Sequence, residues 1–377
     1  MSKLTDLCRK LVQFPCLSGQ ANEALDFMCD YFRQNGFTAR LIDFPSDDGR
    51  LIRTLCAAYG VGHPHFLFAG HIDVVPANPD EWRFPPFAAE IDDGIVYGRG
   101  IADMKGGLAC FAQACTDFVK VADFKGKITV IVSSDEEEPL VEGTRKILQM
   151  LHQEGEIFDF ALVGEPSNPL TMGDEIKVGR RGDIVLHIIS HGQGGHTAYS
   201  VPEDNPAHNL VNLLYRMQND ILDNGNAFFA PSTMQIATID IGNRATNVVP
   251  MQAQATVDIR FNSEHTYASI EDWVQKHICL TDGKFDFTAE YIGESFLSPI
   301  DDNIINLQKI IMAHTGKMPQ FSTAGGTSDA RFVKDYCPVV EYGLTNATIH
   351  KADECESVQN IETLYAVYSD FLKIFFK

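Results

Sequence analysis

No stretch of the sequence approaches the roughly 18 consecutive apolar residues that a membrane span requires, so no integral membrane protein is expected. Positive charge is scarce, with 30 Lys and Arg against 51 Asp and Glu and a formal net charge of −21. Such a chain repels phosphate backbones and anionic lipid, which argues against nucleic acid or a membrane as partner. Cysteine pairing is absent too: nine cysteines run from Cys8 to Cys355 with no C-x-x-C, the nearest two being Cys110 and Cys115. An odd, scattered set reads as reduced thiols in a cytosol. There is no phosphate loop, because GGTSD at 325–329 lacks the G-x-x-x-x-G-K-[ST] spacing and reads first as a tight turn. Nor is there an internal repeat, a low-complexity tract or a long linker. The opening MSKLTDLCRKLVQFP is broken by Lys3, Asp6, Arg9 and Lys10 and reads as an amphipathic helix, not a signal peptide, in keeping with a cytoplasmic protein.

What is present is an ordinary globular composition of 377 residues, 45% hydrophobic, enough for about two or three domains. Ala21, Leu25, Met28 and Phe32 recur at helical spacing before Asn35-Gly36, predicting a helix over 20–35. Leu108, Ala112, Cys115 and Val119 predict another that ends near Ala122. Between them lie HFLFAG (65–70), KITVIVSS (127–134) and DFALVG (159–164), apolar runs without alternation, as strands buried on both faces of a parallel sheet read. Each run ends in polar residues: His71 and Asp73, Asp135 to Glu138, and Glu165. Ligands bind beyond the carboxyl ends of such strands, so these residues converge where a site is expected.

After about Gly179 the pattern changes. Residues 251–262, MQAQATVDIRFN, alternate strictly, as a half-buried antiparallel strand does. With strand 183–190, helix 205–219, strand 233–241, helix 266–278 and strand 284–291, the order is βαββαβ, a ferredoxin-like module. α/β character returns with helix 302–315, the loop STAGGTSDARF (322–332), strand 338–343 and a closing helix 361–376. The expected fold is an α/β domain with a mixed, largely parallel sheet (1–178 and 294–377), into which a smaller antiparallel α+β domain (179–293) is inserted.

His71 and Asp73, two apart at a strand end, point to one face. A metal-bound imidazole usually hands its second N–H to a carboxylate, although a His beside an Asp is more often a plain hydrogen-bonded pair. Asp103 in YGRGIADMKGG, the run Asp135, Glu136, Glu137, Glu138, Glu165 in VGEPS and His350 in ATIHKADE give the pair company. Carboxylates gathered in one pocket repel one another, and a pair of divalent cations removes that cost. Imidazole and carboxylate donors without cysteine suit Zn, Co, Mn or Fe, with zinc the default. Four acidic residues seen in isolation would be a solvated loop; these end a buried strand.

The set HIDVVP, YGRGIADMKGG, SSDEEE, VGEPS, GGHTAY, NVVP, STAGGTSDARF and NATIHKADE resembles the M20 family of metallopeptidase-like amidohydrolases, from about residue 5 to the C-terminus. The resemblance implies a zinc-hydrolase catalytic domain with 179–293 as its dimerisation or lid domain, and two divalent metal ions, zinc first with cobalt or manganese as substitutes, bridged by Asp103. His71 and Glu165 would complete one site, Glu137 and His350 the other. Asp73 would support His71, Glu136 would be the general acid/base, and His196 would serve as oxyanion donor to the partner subunit of a homodimer formed through the inserted domain. The family usually has Gly where this chain has Glu138. Implied substrate contacts are Arg180, Tyr199, Asn247, Arg260, Gly326, Thr327 and Asn346, with Arg suited to bidentate carboxylate binding. For Arg260 a solvent-facing strand position is the alternative, since Asp258 and Asn262 share its face. The implied reaction is hydrolysis of a small anionic N-acyl amino acid, N-succinyl-L,L-diaminopimelate, to succinate and L,L-diaminopimelate in lysine and cell-wall precursor synthesis. Alternatives are another amidohydrolase of the family, acting on acetylornithine or other N-acyl amino acids, and a non-catalytic binding protein of the same fold.

Overall fold

The computed structural model describes residues 2–17, 21–137 and 141–377, so Glu138 lies outside the described residues. The chain divides into two compact units, one of Met1–Val178, Ser298–Ser322 and Ser328–Lys377, the other of Gly179–Leu297 with Thr323–Thr327. Strands β1 (Thr38–Pro45), β2 (Leu51–Val61), β3 (His65–His71), β4 (Gly126–Ser133), β5 (Phe160–Val163) and β6 (Glu175–Lys177) belong to the first unit. The second contributes β7 (Gly182–His191), β8 (Thr233–Asp240), β9 (Gln252–Phe261) and β10 (Lys284–Gly293), and the chain then returns to the first with β11 (Gln320–Ser322) and β12 (Val339–Glu341).

The eight-stranded sheet of the first unit has the order β1-β2-β4-β3-β5-β12-β6-β11. Its centre, β4-β3-β5-β12, is parallel throughout. β1 and β2 add antiparallel to one side, as does β6 on the other. The central strands are buried along nearly their whole length because helices cover both faces, which is why they read as unbroken apolar runs. Helix Gly106–Val121 packs on helix Val358–Phe375, and between them and the sheet Phe68 stacks on Phe111 with ring centroids 4.0 Å apart. The closing helix starts at Val358, earlier than its apolar spacing predicts, because the Ser357 side chain caps it by accepting from the Asn360 N–H.

In the second unit the antiparallel sheet runs β8-β9-β7-β10. With helices Pro206–Gln218 and Tyr267–Cys279 inserted after β7 and β9, this is the strand order of a ferredoxin-like module. Ile184, Leu186 and Ile188 of β7 and Val257, Ile259 and Phe261 of β9 form one apolar face against Leu210, Leu213, Leu214 and Met217. The boundary differs from the expected 179–293, because Phe296–Leu297 pairs with Gly179–Arg180. Thr323–Thr327 also groups here: Thr323 Oγ1 donates to the Phe228 carbonyl at 2.6 Å, and Arg180 Nη1 to the Ala324 carbonyl at 3.1 Å. All nine cysteines are free thiols.

Candidate active site

Four adjacent parallel strands deliver the candidate ligands. β3 ends on His71, β4 leads into Asp135, Glu136 and Glu137, β5 leads to Glu165, and the chain after β12 reaches His350. Parallel neighbours end at the same sheet edge, so four segments remote in sequence meet there. Asp103 arrives from the turn before helix Gly106–Val121. Close backbone approach fixes the Glu165 segment: a Cβ on Gly107 would lie 2.6 Å from the Gly164 carbonyl oxygen, and one on Gly343 would lie 2.4 Å from those of Gly164 and Glu165.

The geometry centres on Asp103. Its Oδ1 lies 3.2 Å from His71 Nε2, and its Oδ2 lies 3.4 Å from His350 Nε2. His71 Nε2 is also 3.5 Å from Glu165 Oε1, while His350 Nε2 is 3.0 Å from Glu137 Oε1. Donor atoms of His71, Asp103 and Glu137 lie within 4.8 Å of one another, as do those of His71, Glu136 and Glu165. Glu136 is therefore as near His71 and Glu165 as a ligand would be. His350 has φ 60°, a left-handed backbone uncommon outside glycine and enriched where a side chain must be aimed. The Thr348 hydroxyl closes that loop, donating to the Cys355 carbonyl at 3.0 Å and accepting its N–H at 3.2 Å.

Asp73 is fully buried, and its Oδ1 and Oδ2 accept the N–H groups of Glu136 and Glu137 at 3.2 and 3.0 Å. Oδ1 is also 3.5 Å from His71 Nδ1. The hydrogen bond of His71 Nδ1 goes to the Asp73 backbone carbonyl at 3.1 Å, so Asp73 orients the imidazole through its main chain and anchors the acidic run through its carboxylate. Asp329, unassigned by sequence reasoning, joins from below: its Oδ2 accepts the hydroxyls of Ser133 at 3.2 Å and Thr144 at 2.5 Å.

Electrostatically the cluster calls for cations. Burial, then the Glu165 charge, pushes the Glu136 carboxyl well above the usual range. Burial, then Asp103, does the same to Glu165. Burial opposes charge on His71, but Glu165, Asp103 and Asp73 outweigh it and raise its pKa. Hydrogen bonds to Asp103 and Glu137 push His350 up to about 10. Every one of these shifts favours taking up positive charge, the response of crowded carboxylates in low dielectric. Two imidazoles and several carboxylates with no thiolate fit divalent metal ions.

Asn346 sits beside the Glu165 loop, its Nδ2 donating to the Pro166 carbonyl at 3.4 Å. In the second unit, Gly195–His196 pairs with Val248–Val249, and the Thr197 N–H donates to the Asn247 carbonyl at 3.0 Å, which brings His196 and Asn247 together. The ring of exposed Tyr199 lies 5.4 Å from that of His196. Arg180 is buried, Gly326 is exposed, and Thr327 is half-buried. Arg260 is already paired, with Nε and Nη2 on Asp258 at 2.8 and 2.9 Å and Nη1 2.8 Å from Asp183.

The model of peptidase family M20/M25/M40 matches residues 67–374. The chain belongs to that family. Among relatives of this M20 chain, a protein named succinyl-diaminopimelate desuccinylase from Maricaulis maris is 42% identical over 98% of this chain and 95% of its own length. One of the same name from Ehrlichia canis is 40% identical over 98% and 97%. The fold matches that of an M20 family metallo-carboxypeptidase from Sulfolobus solfataricus, with TM-score 0.79 at 16% identity over 100% of this chain and 99% of the other. It also matches a Bacillus subtilis protein described as a dinuclear metal binding peptidase of the M20 family, with TM-score 0.71 at 16% identity over 99% and 98%.

Proposed function

We propose that this M20 hydrolase cleaves the succinyl amide of N-succinyl-L,L-diaminopimelate, releasing succinate and L,L-diaminopimelate for lysine and cell-wall precursor synthesis in the cytoplasm. The observation that carries the hydrolytic reading is the single carboxylate of Asp103 facing two different imidazoles. Substrate identity is supported by relatives near 40% identity along almost the whole chain. His71, Asp103 and Glu165 would hold one divalent cation and Asp103, Glu137 and His350 a second, zinc first. Bound there, such cations supply the positive charge that acidifies water and polarises an amide carbonyl.

The chain's own residues do the rest. The Glu136 carboxylate accepts a proton from the attacking water and returns it to the leaving amine, so no Ser or Cys nucleophile is needed. A carboxyl that burial and Glu165 push upward suits that exchange. Asp73 keeps the His71 ring in place through its backbone carbonyl and the Glu136 backbone through its carboxylate. His196 would serve as oxyanion donor to the partner subunit, and the substrate contacts we assign are Arg180 and Arg260, whose guanidinium groups suit carboxylates, with Tyr199, Asn247, Gly326, Thr327 and Asn346. Arg260 can do so only by sharing or exchanging its bonds to Asp258 and Asp183.

We assign the second unit to a homodimer seam. Its sheet has β8 at one edge, and Val211, Tyr215 and Ile239 lie exposed on this unit. Exposed apolar side chains and an open sheet edge on one unit suit a second copy. The test of function is succinate release from N-succinyl-L,L-diaminopimelate by zinc-loaded protein, beside N-acetylornithine and a chelator control. Chelator-sensitive release from the succinyl substrate alone is expected. Turnover of acetylornithine instead would keep the metal chemistry and overturn the substrate, and turnover of neither, with metals bound, would favour another acyl substrate or the binding-protein reading.

A further inference from the structure

The Asp103 turn has its own buried anchor. Asp103 has φ −125° and ψ 99° and Gly100 has φ 88°, so the turn is not helical and its amide groups find no helical carbonyls. Arg99 N–H donates to the Pro86 carbonyl and Ile101 N–H to that of Gly98. The Gly100, Ala102 and Asp103 amides all go to one side chain, that of Glu354. Glu354 Oε2 accepts the Gly100 N–H at 3.0 Å, and Oε1 accepts those of Ala102 and Asp103 at 3.0 and 3.2 Å. Its backbone carbonyl takes the Gly98 N–H at 2.9 Å. The Glu354 side chain is 1% exposed and is charge-balanced by Arg99, whose Nη1 is 2.8 Å from Oε2 and whose guanidinium lies over the Trp82 ring at 5.1 Å. Glu354 is also four residues from His350, and Cys355, next to it, pairs in antiparallel register with Tyr97. The bridging candidate Asp103 is therefore tied, through this one side chain, to the segment that carries His350.

We propose that Glu354 is a positioning residue, whose carboxylate holds the Gly100–Asp103 turn so that both Asp103 oxygens are aimed at the two imidazoles, and thereby sets the affinity of the metal centre. A neutral amide side chain offers a single accepting oxygen and no charge to match Arg99; capping three N–H groups with two oxygens and a matched guanidinium fixes the turn's shape as well as its solvation. The inference rests on reading Asp103 as a metal ligand.

Glu356 supplies the control. It is buried two residues on, and its carboxylate accepts from the Thr345 N–H at 3.0 Å, the Thr345 hydroxyl at 2.7 Å and Asn360 Nδ2 at 2.8 Å, none of them in the Asp103 turn. Glu354→Gln and Glu356→Gln would be compared in zinc titrations against a competing chelator and in the visible spectrum of the cobalt-loaded protein. Glu354→Gln is expected to bind metal roughly 10- to 100-fold more weakly, the usual cost of losing a support behind a ligand, with an altered cobalt spectrum. Glu356→Gln is expected to keep wild-type affinity and spectrum even if its melting temperature falls as far. Wild-type affinity in Glu354→Gln, or equal weakening in both variants, would overturn the proposal. If Glu354→Gln does not fold, Glu354→Asp against Glu356→Asp makes the same comparison with the same outcomes. Asp103→Asn separates the two layers: undiminished binding of two ions by it would remove Asp103 from the ligands and the inference with it. Loss in Asp103→Asn but not in Glu354→Gln would sink the inference alone.

Discussion

Asp103 Oδ2 lies 3.4 Å from His350 Nε2, on the side of the carboxylate opposite to the Oδ1 that lies 3.2 Å from His71 Nε2. A carboxylate placed so can serve two cations at once, and His350 then belongs to only one of them. His350→Ala should accordingly reduce metal content from about two equivalents to about one, the count expected when a two-metal site loses a ligand unique to one ion. Elemental analysis of the dialysed variant checks this, and two full equivalents would contradict the assignment.

Glu136 is a sharper case, because its carboxylate is within ligand distance of His71 and Glu165 while its proposed role is proton transfer. Glu136→Ala should lower turnover by roughly 10²- to 10⁴-fold, the usual contribution of a general acid/base, and leave metal content unchanged. Loss of an equivalent of metal with the activity would make Glu136 a ligand; normal turnover would remove it from the mechanism.

A prediction about stability comes from His65, at the opposite end of β3 from His71. His65 is 2% exposed, with Nδ1 2.9 Å from the Ile157 carbonyl and Nε2 2.8 Å from the Thr129 hydroxyl. Burial, aided by Lys127, lowers its pKa from 6.5 to about 4. The unfolded chain therefore binds this proton below pH 6.5 while the folded one resists until about pH 4, so stability falls as pH drops through that window. The effect is complete below about pH 4 and absent well above 6.5. It amounts to about 3 kcal/mol at most. His65→Gln should flatten the decline in unfolding free energy between pH 7 and 4, measured by denaturant titration. An unchanged slope would show that His65 does not titrate as described.

The parallel core and its candidate ligands were legible because both leave strong local traces. Strands buried on two faces read as the apolar runs around Phe66, Ile131 and Ala161, and the candidate ligands follow each run directly. The alternating β9 was equally plain. β1 and β2 were not anticipated: β1 is an edge strand whose burial barely alternates, and its Asp43 pairs with Arg53 of β2 at 2.7 Å, so charge obscures its pattern. The short β6 and β11 exist through pairing with each other, a contact between residues 175–177 and 320–322 that no local signal announces. Glu354 was visible in the NATIHKADE motif, but its work depends on amide groups some 250 residues earlier. The same holds for Arg260: its type and place suggested a carboxylate partner, and only the register of β7 with β9, which sets Asp183 opposite Arg260, shows which carboxylates it already holds.

The most direct measurement for the central claim is the anomalous scattering of a crystal of the zinc-loaded protein. The account predicts two peaks about 3.5–4 Å apart, the spacing of two-metal sites, flanking Asp103, one beside His71 and Glu165 and the other beside Glu137 and His350. A single peak, or two that do not share Asp103, would contradict it.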